Sequence, residues 1–367
     1  MIIILTQCFP SRLGGIESLV SNLALGLTKQ DKVIVFADRH HIFYDAIFDN
    51  QNKEKILVRR TGGLKFFRRR KKIKEIKPLI ESNQVKLVIG DSWKSLELGI
   101  DYLYKKNINT VCLAHGNEII SQDVNKINRI KHTFNKTNTI IANSFYTSKL
   151  LERVADNNKI ITVYPGANDL RFFKEDKFIE IKGSPILLTL GRLEKRKGHL
   201  RVLKALLEIR KQYFDIKYII AGEGTEKRNL KNFVKKNNLT NNVFFVGSVN
   251  DSQKKYLYTI ANFMVMPTLD EEKNSSIEGF GIVYLEAAFF SVPSIASKVG
   301  GTAEAVMNEK TGLIIENESQ LIEAIFRLIR DKKKLFELGK NAQKRAIEKF
   351  KWENVINNYL KFFKINI

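Results

Sequence analysis

Glu278 and Glu286 stand eight residues apart, with Gly279-Phe280-Gly281-Ile282 between them where a loop reads into a helix. Carboxylates accept hydroxyl protons, so two of them at this spacing can hold an extended polyhydroxylated ligand at different ends. Gly279 and Gly281 permit close approach to the backbone, and the free N–H groups of the new helix face whatever binds there. Glu286 also has a purely structural reading, since an acid in the first helical turns complements the macrodipole. Upstream, Gly191-Arg192-Leu193-Glu194-Lys195-Arg196-Lys197-Gly198 sets Arg192 and Lys197 five residues apart on a Gly-terminated turn. A guanidinium forks onto one phosphate and an ammonium serves the next as a point charge, which suits a diphosphate. A solvated basic loop is the other reading of the same segment. Gly14-Gly15, directly before a helix, offer backbone N–H groups to a phosphate or simply make a tight turn. Neither GxGxxG nor a Walker A pattern occurs.

These segments fall where strand-like runs end. Apolar runs alternate with helix-like periods along the whole chain, as expected when crossover helices cover both faces of parallel sheets. The fold class is α/β, doubly wound. The first unit starts with strand Ile2–Thr6, a helix from about Ile16 to Thr28 and strand Val33–Ala37, followed by strands Leu87–Gly90, Thr110–Ala114 and Thr139–Ala142. The pattern restarts at Pro185–Leu190 with helix Leu200–Lys211, then strands Lys217–Ala221, Val243–Val246, Phe263–Pro267, Ser294–Ala296 and Gly312–Ile315. The boundary lies near 166–184, giving domains of residues 1–168 and 169–349. Two such sheets put their ligand-binding strand ends on loops that can face each other across a cleft.

The chain has 367 residues, enough for two domains, and its 44% apolar and 28% charged residues exclude a disordered or collagenous protein. No apolar run approaches the ~18 residues of a membrane-spanning helix, and MIIILTQ reads as a first strand rather than a leader. Cys8 and Cys112 are far apart with no CxxC or Cys/His cluster, so neither a disulfide framework nor a zinc site is expected, and a reducing cytoplasm is. The formal charge of +23 attracts polyanions: nucleic acid, anionic membrane or phosphorylated small molecules.

The chain resembles a retaining glycosyltransferase of family 4, with the two-Rossmann GT-B architecture, from residue 1 to Phe350-Lys351-Trp352-Glu353. The marks are Gly14-Gly15-Ile16-Glu17, His115-Gly116-Asn117-Glu118, Asn143-Ser144, Gly191–Gly198, Gly222-Glu223-Gly224, the Glu278/Glu286 pair and Gly300-Gly301-Thr302-Ala303-Glu304. The resemblance implies a donor-binding set of Gly14, Gly15, Asn143, Glu223, Phe280, Gly281, Ile282 and Glu286, with Glu286 on the ribose hydroxyls. It implies Arg192 and Lys197 on the diphosphate, Glu278 and the Phe280 and Gly281 amides on the donor sugar, and His115 near its reacting end. The donor would be a UDP- or GDP-sugar, and no metal or other cofactor is expected, because cations stand where other transferases use one. Asp270-Glu271-Glu272 is acidic enough to raise the metal question but reads best as a solvated loop. Two departures stand out: Phe289-Phe290-Ser291-Val292-Pro293, where relatives carry a small residue and glycine before the proline, and the insertion Asp270–Lys273 ahead of Ser275-Ser276. Residues 350–367 resemble a terminal helix that returns to the first domain, with Phe362, Phe363 and Ile365 packing there.

Arg59–Lys77 holds ten basic residues and one acid. At 100° per residue Phe66, Ile73 and Ile76 share a side, so a basic amphipathic helix is expected, with Phe66, Phe67, Arg68, Arg69, Arg70, Lys71 and Lys72 meeting an anionic membrane or the acceptor. A helix packed on the sheet with solvated cations is the competing reading. No nucleic-acid-reading motif accompanies the run, so nucleic acid is not expected as a partner. The composite expectation is a cytoplasmic enzyme peripheral to the inner face of the membrane, moving a hexose to a glycan or lipid-linked acceptor in envelope assembly. The rivals are a GT-B phosphorylase or sugar-phosphate-using transferase, and a catalytically silent membrane- or RNA-binding scaffold.

Overall fold

A computed structural model describes residues 1–82, 84–272 and 276–363. Strand β1 (Ile2–Thr6) shows how its sheet is covered. Ile2 and Ile4 enter one core with Leu19, Leu23 and Leu27 of helix α1 (Gly15–Leu27), whereas Ile3 and Leu5 enter another with Ile73, Ile76 and Ile80 of helix α3 (Lys65–Glu81). A strand buried on both faces has no polar side, which is why it reads as an unbroken apolar run.

The chain divides into two units, Met1–Gly166 with the segment from Trp352, and Ala167–Lys351. Among the described residues the first unit has a seven-stranded sheet in the order β3-β2-β1-β4-β5-β6-β7, every neighbour parallel. Its strands after β1 are β2 (Val33–Asp38), β3 (Leu57–Thr61), β4 (Leu87–Gly90), β5 (Asn109–Ala114), β6 (Thr139–Ala142) and β7 (Ile160–Thr162). Helix α2 (Ile42–Asn52) links β2 to β3. The second unit has a six-stranded parallel sheet, β10-β9-β8-β11-β12-β13. Its strands are β8 (Ile186–Leu190), β9 (Lys217–Ala221), β10 (Val243–Gly247), β11 (Phe263–Met266), β12 (Ser294–Ser297) and β13 (Gly312–Ile315).

Both sheets are doubly wound. Two strands differ from the sequence reading. β3 is an edge strand that leaves Leu57 and Arg59 exposed and buries the Arg60 side chain against Asp49, so it lacks an apolar signature, and β7 is a three-residue edge at the opposite end. The terminal helix Trp352–Phe362 belongs to the first unit: Val355, Ile356, Tyr359 and Phe363 enter the core shared with α1. A Cβ on Gly26 would fall 2.7 Å from Ile356 Cγ1, so the two helices approach closely. Ile365 lies outside the described residues.

Candidate active site

In the second unit the chain runs from β8 outward to β10, then returns to place β11 on the other side of β8. The loops after β8 and β11 therefore diverge at a topological switch point, where ligands of open α/β sheets bind. Arg192 to Lys197 occupy the first loop. It ends at Gly198, whose φ is +73°, and a Cβ there would fall 2.0 Å from the Pro267 carbonyl oxygen, so only glycine lets it meet the segment following β11. That segment leads to Glu278, whose backbone is held by the double glycine downstream. The Gly301 N–H donates to the Glu278 carbonyl at 2.9 Å, and a Cβ on Gly300, at φ +59°, would fall 2.2 Å from the same oxygen.

This close approach brings charge together. Lys197 Nζ is 2.6 Å from Glu278 Oε2, and the buried Arg196 guanidinium pairs with the same oxygen. Arg196 also stands 3.4 Å from Glu194 Oε2, whose Oε1 is 2.7 Å from the largely exposed Arg192. Positive and negative groups thus alternate through Arg192, Glu194, Arg196, Glu278 and Lys197. Burial pushes the Glu278 carboxyl up, but Lys197 and Arg196 outweigh it and hold it below the usual carboxylate range. Arg196 and Glu194 were not singled out from the sequence. The pairing joins residues 82 positions apart, and no local pattern announces it.

Glu286 forms a separate set. It lies inside helix Ile282–Phe289, and its Oε2 accepts from the Tyr258 hydroxyl at 3.0 Å while Lys254 Nζ is 3.6 Å from Oε1. Tyr284 fixes that helix by donating to the Met266 carbonyl at 2.8 Å, at the end of β11. Burial lowers the Lys254 ammonium, but Glu286 and Asp251 outweigh it and push it up; burial and Glu286 push Tyr258 up as well. Phe280 is buried with its ring centroid 6.0 Å from that of Phe350, Gly281 is the N-cap at φ +98°, and Ile282 opens the helix. Glu223, after β9, is exposed and pairs with Lys227 at 2.6 Å.

The first unit has its own switch point between β1 and β4. Asp91, following β4, is buried, and its Oδ2 accepts from Thr6 Oγ1 at 2.7 Å, the Gln7 N–H at 2.9 Å and the Cys8 N–H at 3.2 Å. Burial and Asp91 push the Cys8 thiol up to about 12. The Asp91 carbonyl lies 2.8 Å from His115 Nε2. A carbonyl only accepts, so Nε2 of His115 carries the proton in this contact. Glu118 Oε1 accepts the His115 N–H at 2.7 Å. Gly14 and Gly15 open α1, where Glu17 pairs with Arg12 at 2.9 Å and folds back so far that a Cβ on Gly14 would meet Glu17 Oε2 at 2.2 Å. Asn143 follows β6, half-buried, and donates its N–H to the Ala114 carbonyl at 3.1 Å.

Among the described residues no group of three or more His, Cys, Asp or Glu is placed to hold a metal ion. Glu271 Oε1 lies 3.5 Å from Lys195 Nζ, while Lys273 and Ser275 fall outside the described residues.

The basic run needs correction. Arg59 and Arg60 are in β3, and the helix starts only at Lys65. Ile73 and Ile76 pack on the sheet, but Phe66 does not join them; it is exposed, as is Phe67. Lys72 cannot reach a membrane. Its side chain is 3% exposed and its Nζ donates to Asp38 Oδ1 and the Thr6 carbonyl, at 2.7 and 2.6 Å. Arg69 is mostly buried against Glu97, and Arg68 is 3.2 Å from Asp38 Oδ2. The sheet-facing side of this helix is therefore cationic as well as apolar, with carboxylates inside to receive it, and helical spacing alone does not reveal that. Arg70 and Lys71 remain exposed.

A model of the family described as Glycosyltransferase Family 4 matches residues 13–171, and one described as Glycosyl transferases group 1 matches residues 171–345. The chain belongs to the family 4 GT-B glycosyltransferases. A GDP-mannose-dependent alpha-(1-6)-phosphatidylinositol monomannoside mannosyltransferase of Mycobacterium tuberculosis is 27% identical over 182 residues, 49% of this chain and 47% of that one. The matched stretch thus spans about half of that relative's length. An uncharacterized glycosyltransferase of Methanocaldococcus jannaschii is 26% identical over 99% of this chain and 98% of its own. Among solved structures, Anabaena HepE in complex with UDP superposes with a TM-score of 0.80 at 19% identity, covering 98% of both chains. Sucrose-phosphate synthase from Thermosynechococcus elongatus superposes with a TM-score of 0.80 at 21% identity, covering 99% of this family 4 chain and 98% of its own. These likenesses are to the GT-B fold.

Proposed function

We propose that this family 4 glycosyltransferase moves a hexose from a UDP- or GDP-sugar to a glycan or lipid-linked acceptor with retention at the anomeric carbon. The observation that carries this is the single site at the β8/β11 switch point, where Lys197 and Arg196 converge on Glu278 beside Arg192. Lys197 and Arg192 take the diphosphate, Glu278 and the Phe280 and Gly281 amides take sugar hydroxyls, and Glu286 takes the ribose. Gly14, Gly15, Asn143, Glu223 and Ile282 complete the donor contacts. Relatives support the substrate class: one is named for GDP-mannose and another was solved with UDP.

In the step itself the acceptor hydroxyl oxygen bonds to the anomeric carbon on the face from which the phosphate leaves. The carbon–oxygen bond to the diphosphate breaks, and the departing phosphate oxygen takes the hydroxyl proton. Negative charge grows on the leaving group, and preorganised cations stabilise it there. His115 Nδ1 positions the sugar's reacting end rather than attacking it. No metal is required when Arg192 and Lys197 supply that charge. The acceptor side is envelope polysaccharide or glycolipid assembly at the cytoplasmic face of an anionic membrane, which the enzyme visits peripherally. No helix of the described residues is long and apolar enough to cross a membrane.

The test is turnover of a panel of UDP- and GDP-sugars, with release of free nucleoside diphosphate measured in EDTA. One donor consumed at an unchanged rate under chelation is expected. Chelator-abolished turnover restored by magnesium or manganese contradicts the metal-free reading. Release of inorganic phosphate from a sugar phosphate, with every nucleotide sugar untouched, favours the phosphorylase alternative.

A further inference from the structure

Away from the β8/β11 loops, the first unit exposes apolar side chains on three segments that leave adjacent parallel strands at the same edge of the sheet. Leu13 follows β1, Ile42 opens α2 after β2, and Leu64 follows β3; each is at least 74% exposed. Phe43 and Tyr44 stand on α2 and Phe66 and Phe67 on α3, between 49% and 65% exposed. Isolated exposed apolar residues are ordinary, but seven gathered on three neighbouring segments make a surface.

A rigid base holds these segments together. The buried Asp45 carboxylate accepts from Ser11 Oγ at 2.7 Å, from the Ser11 N–H at 3.3 Å, and from the His40 and His41 N–H groups at 2.8 and 3.2 Å. Arg60, at the end of β3, forks onto Asp49 of α2 at 3.0 and 2.7 Å and also donates to the Pro10 carbonyl. The carboxylates point inward and the apolar tips outward. Ser11–Leu13, Arg39–Tyr44 and Gly62–Lys71 contain no acid at all, while Arg12, Arg39, Lys65, Arg70 and Lys71 lie among the apolar residues. The Arg70 guanidinium covers the Phe66 ring at 4.0 Å.

We propose that these three segments form the membrane-docking face, and that its occupant is an anionic phospholipid bilayer. The surface deepens the membrane association proposed above and extends it from α3 to the start of α2 and the loop before α1. Charge complementarity decides for lipid: cations interleaved with apolar and aromatic side chains, without a carboxylate, match a negative headgroup layer over hydrocarbon. Tyr44 and the phenylalanines suit that boundary, because aromatic side chains bury large area at a half-wet site.

The experiment is co-sedimentation of the full chain with phosphatidylcholine vesicles, with and without phosphatidylglycerol. The parent should bind only the anionic vesicles, and increasingly weakly as salt is raised. F43S combined with F67S, and separately K65E combined with K71E, should each weaken binding by about tenfold or more while melting as the parent does. K332E combined with K333E, exposed on the second unit, changes charge equally and should leave binding unchanged. Patch variants that sediment like the parent, or a control pair that loses binding equally, overturn the proposal. So does equal binding to neutral vesicles. No donor is present in this assay. A chain that binds vesicles but consumes no nucleotide sugar retains the surface and loses the transfer reading, and the converse removes only the surface.

Discussion

Lys197 Nζ lies 2.6 Å from Glu278 Oε2, and Arg196 pairs with that same oxygen, so one carboxylate oxygen serves two buried cations. In the proposed reaction Lys197 would turn toward the diphosphate while Arg196 stays paired with Glu278.

Arg196→Ala should therefore lower turnover more than donor affinity, and Arg196→Lys should restore part of it. Hydrogen bonds to charged groups contribute about 1.5–3 kcal/mol, so a drop in kcat of roughly tenfold to a hundredfold is expected. With one cation gone, the Glu278 carboxyl rises from its depressed position, so the acid limb of the kcat profile should move to higher pH. An unmoved limb with normal kcat contradicts this role.

Lys71 and Lys72 are neighbours with opposite fates. Lys72, buried against Asp38, should be intolerant of charge reversal: Lys72→Glu leaves two carboxylates facing each other and should cost about 3–5 kcal/mol. Lys71 is 64% exposed, and Lys71→Glu should change stability by less than about 0.5 kcal/mol. Urea denaturation of both variants measures the contrast, and equal effects would contradict the burial of Lys72.

Ser291 sits at φ +59°, just beyond helix Ile282–Phe289, where its N–H donates to the Ala288 carbonyl at 3.0 Å. The left-handed position costs a non-glycine residue roughly 1–2 kcal/mol, and glycine returns part of that as chain entropy. Ser291→Gly should stabilise the protein by about 0.5–1 kcal/mol in urea denaturation; destabilisation would show that the serine side chain is needed there.

His199 is buried beside Lys197 with neither ring nitrogen partnered among the described residues. Burial first, then Lys197, push its pKa down to about 4, so the folded imidazole stays neutral. The unfolded chain takes up the proton from about pH 6.5 downward. Stability is therefore whole above that pH and is lost as pH falls toward about 4, by an amount on the order of 2–3 kcal/mol. His199→Leu should flatten this part of the stability profile. A profile unchanged by the substitution contradicts a buried neutral histidine.

How much of this was legible follows from what each residue touches. The central strands were read nearly to the residue, because Ile2–Leu5 or Leu187–Leu188 are buried on both faces and carry no other signal. β3 was missed because an edge strand leaves Arg59 exposed, and Arg59 then reads as part of a cationic helix. Glu278, Arg192 and Lys197 were legible as residue types on turns, and Phe289–Pro293 as a departure from relatives that carry a small residue and glycine before the proline. Arg196, Glu194, Tyr258 and Lys254 were not, since their meaning lies in partners brought together only by the fold. Lys72 was misread for the same reason: Asp38, 34 residues away, and the Thr6 carbonyl make a buried cation tolerable.

The most direct measurement is calorimetric titration of UDP and GDP into the parent and into Glu286→Ala and Lys197→Ala. One nucleotide should bind the parent at one site per chain. Both variants should bind it at least about tenfold more weakly, because each loses a charge-assisted contact worth more than ~1.4 kcal/mol. Failure of both nucleotides to bind the parent, or full affinity in both variants, would contradict a nucleotide-sugar site at the β8/β11 switch point.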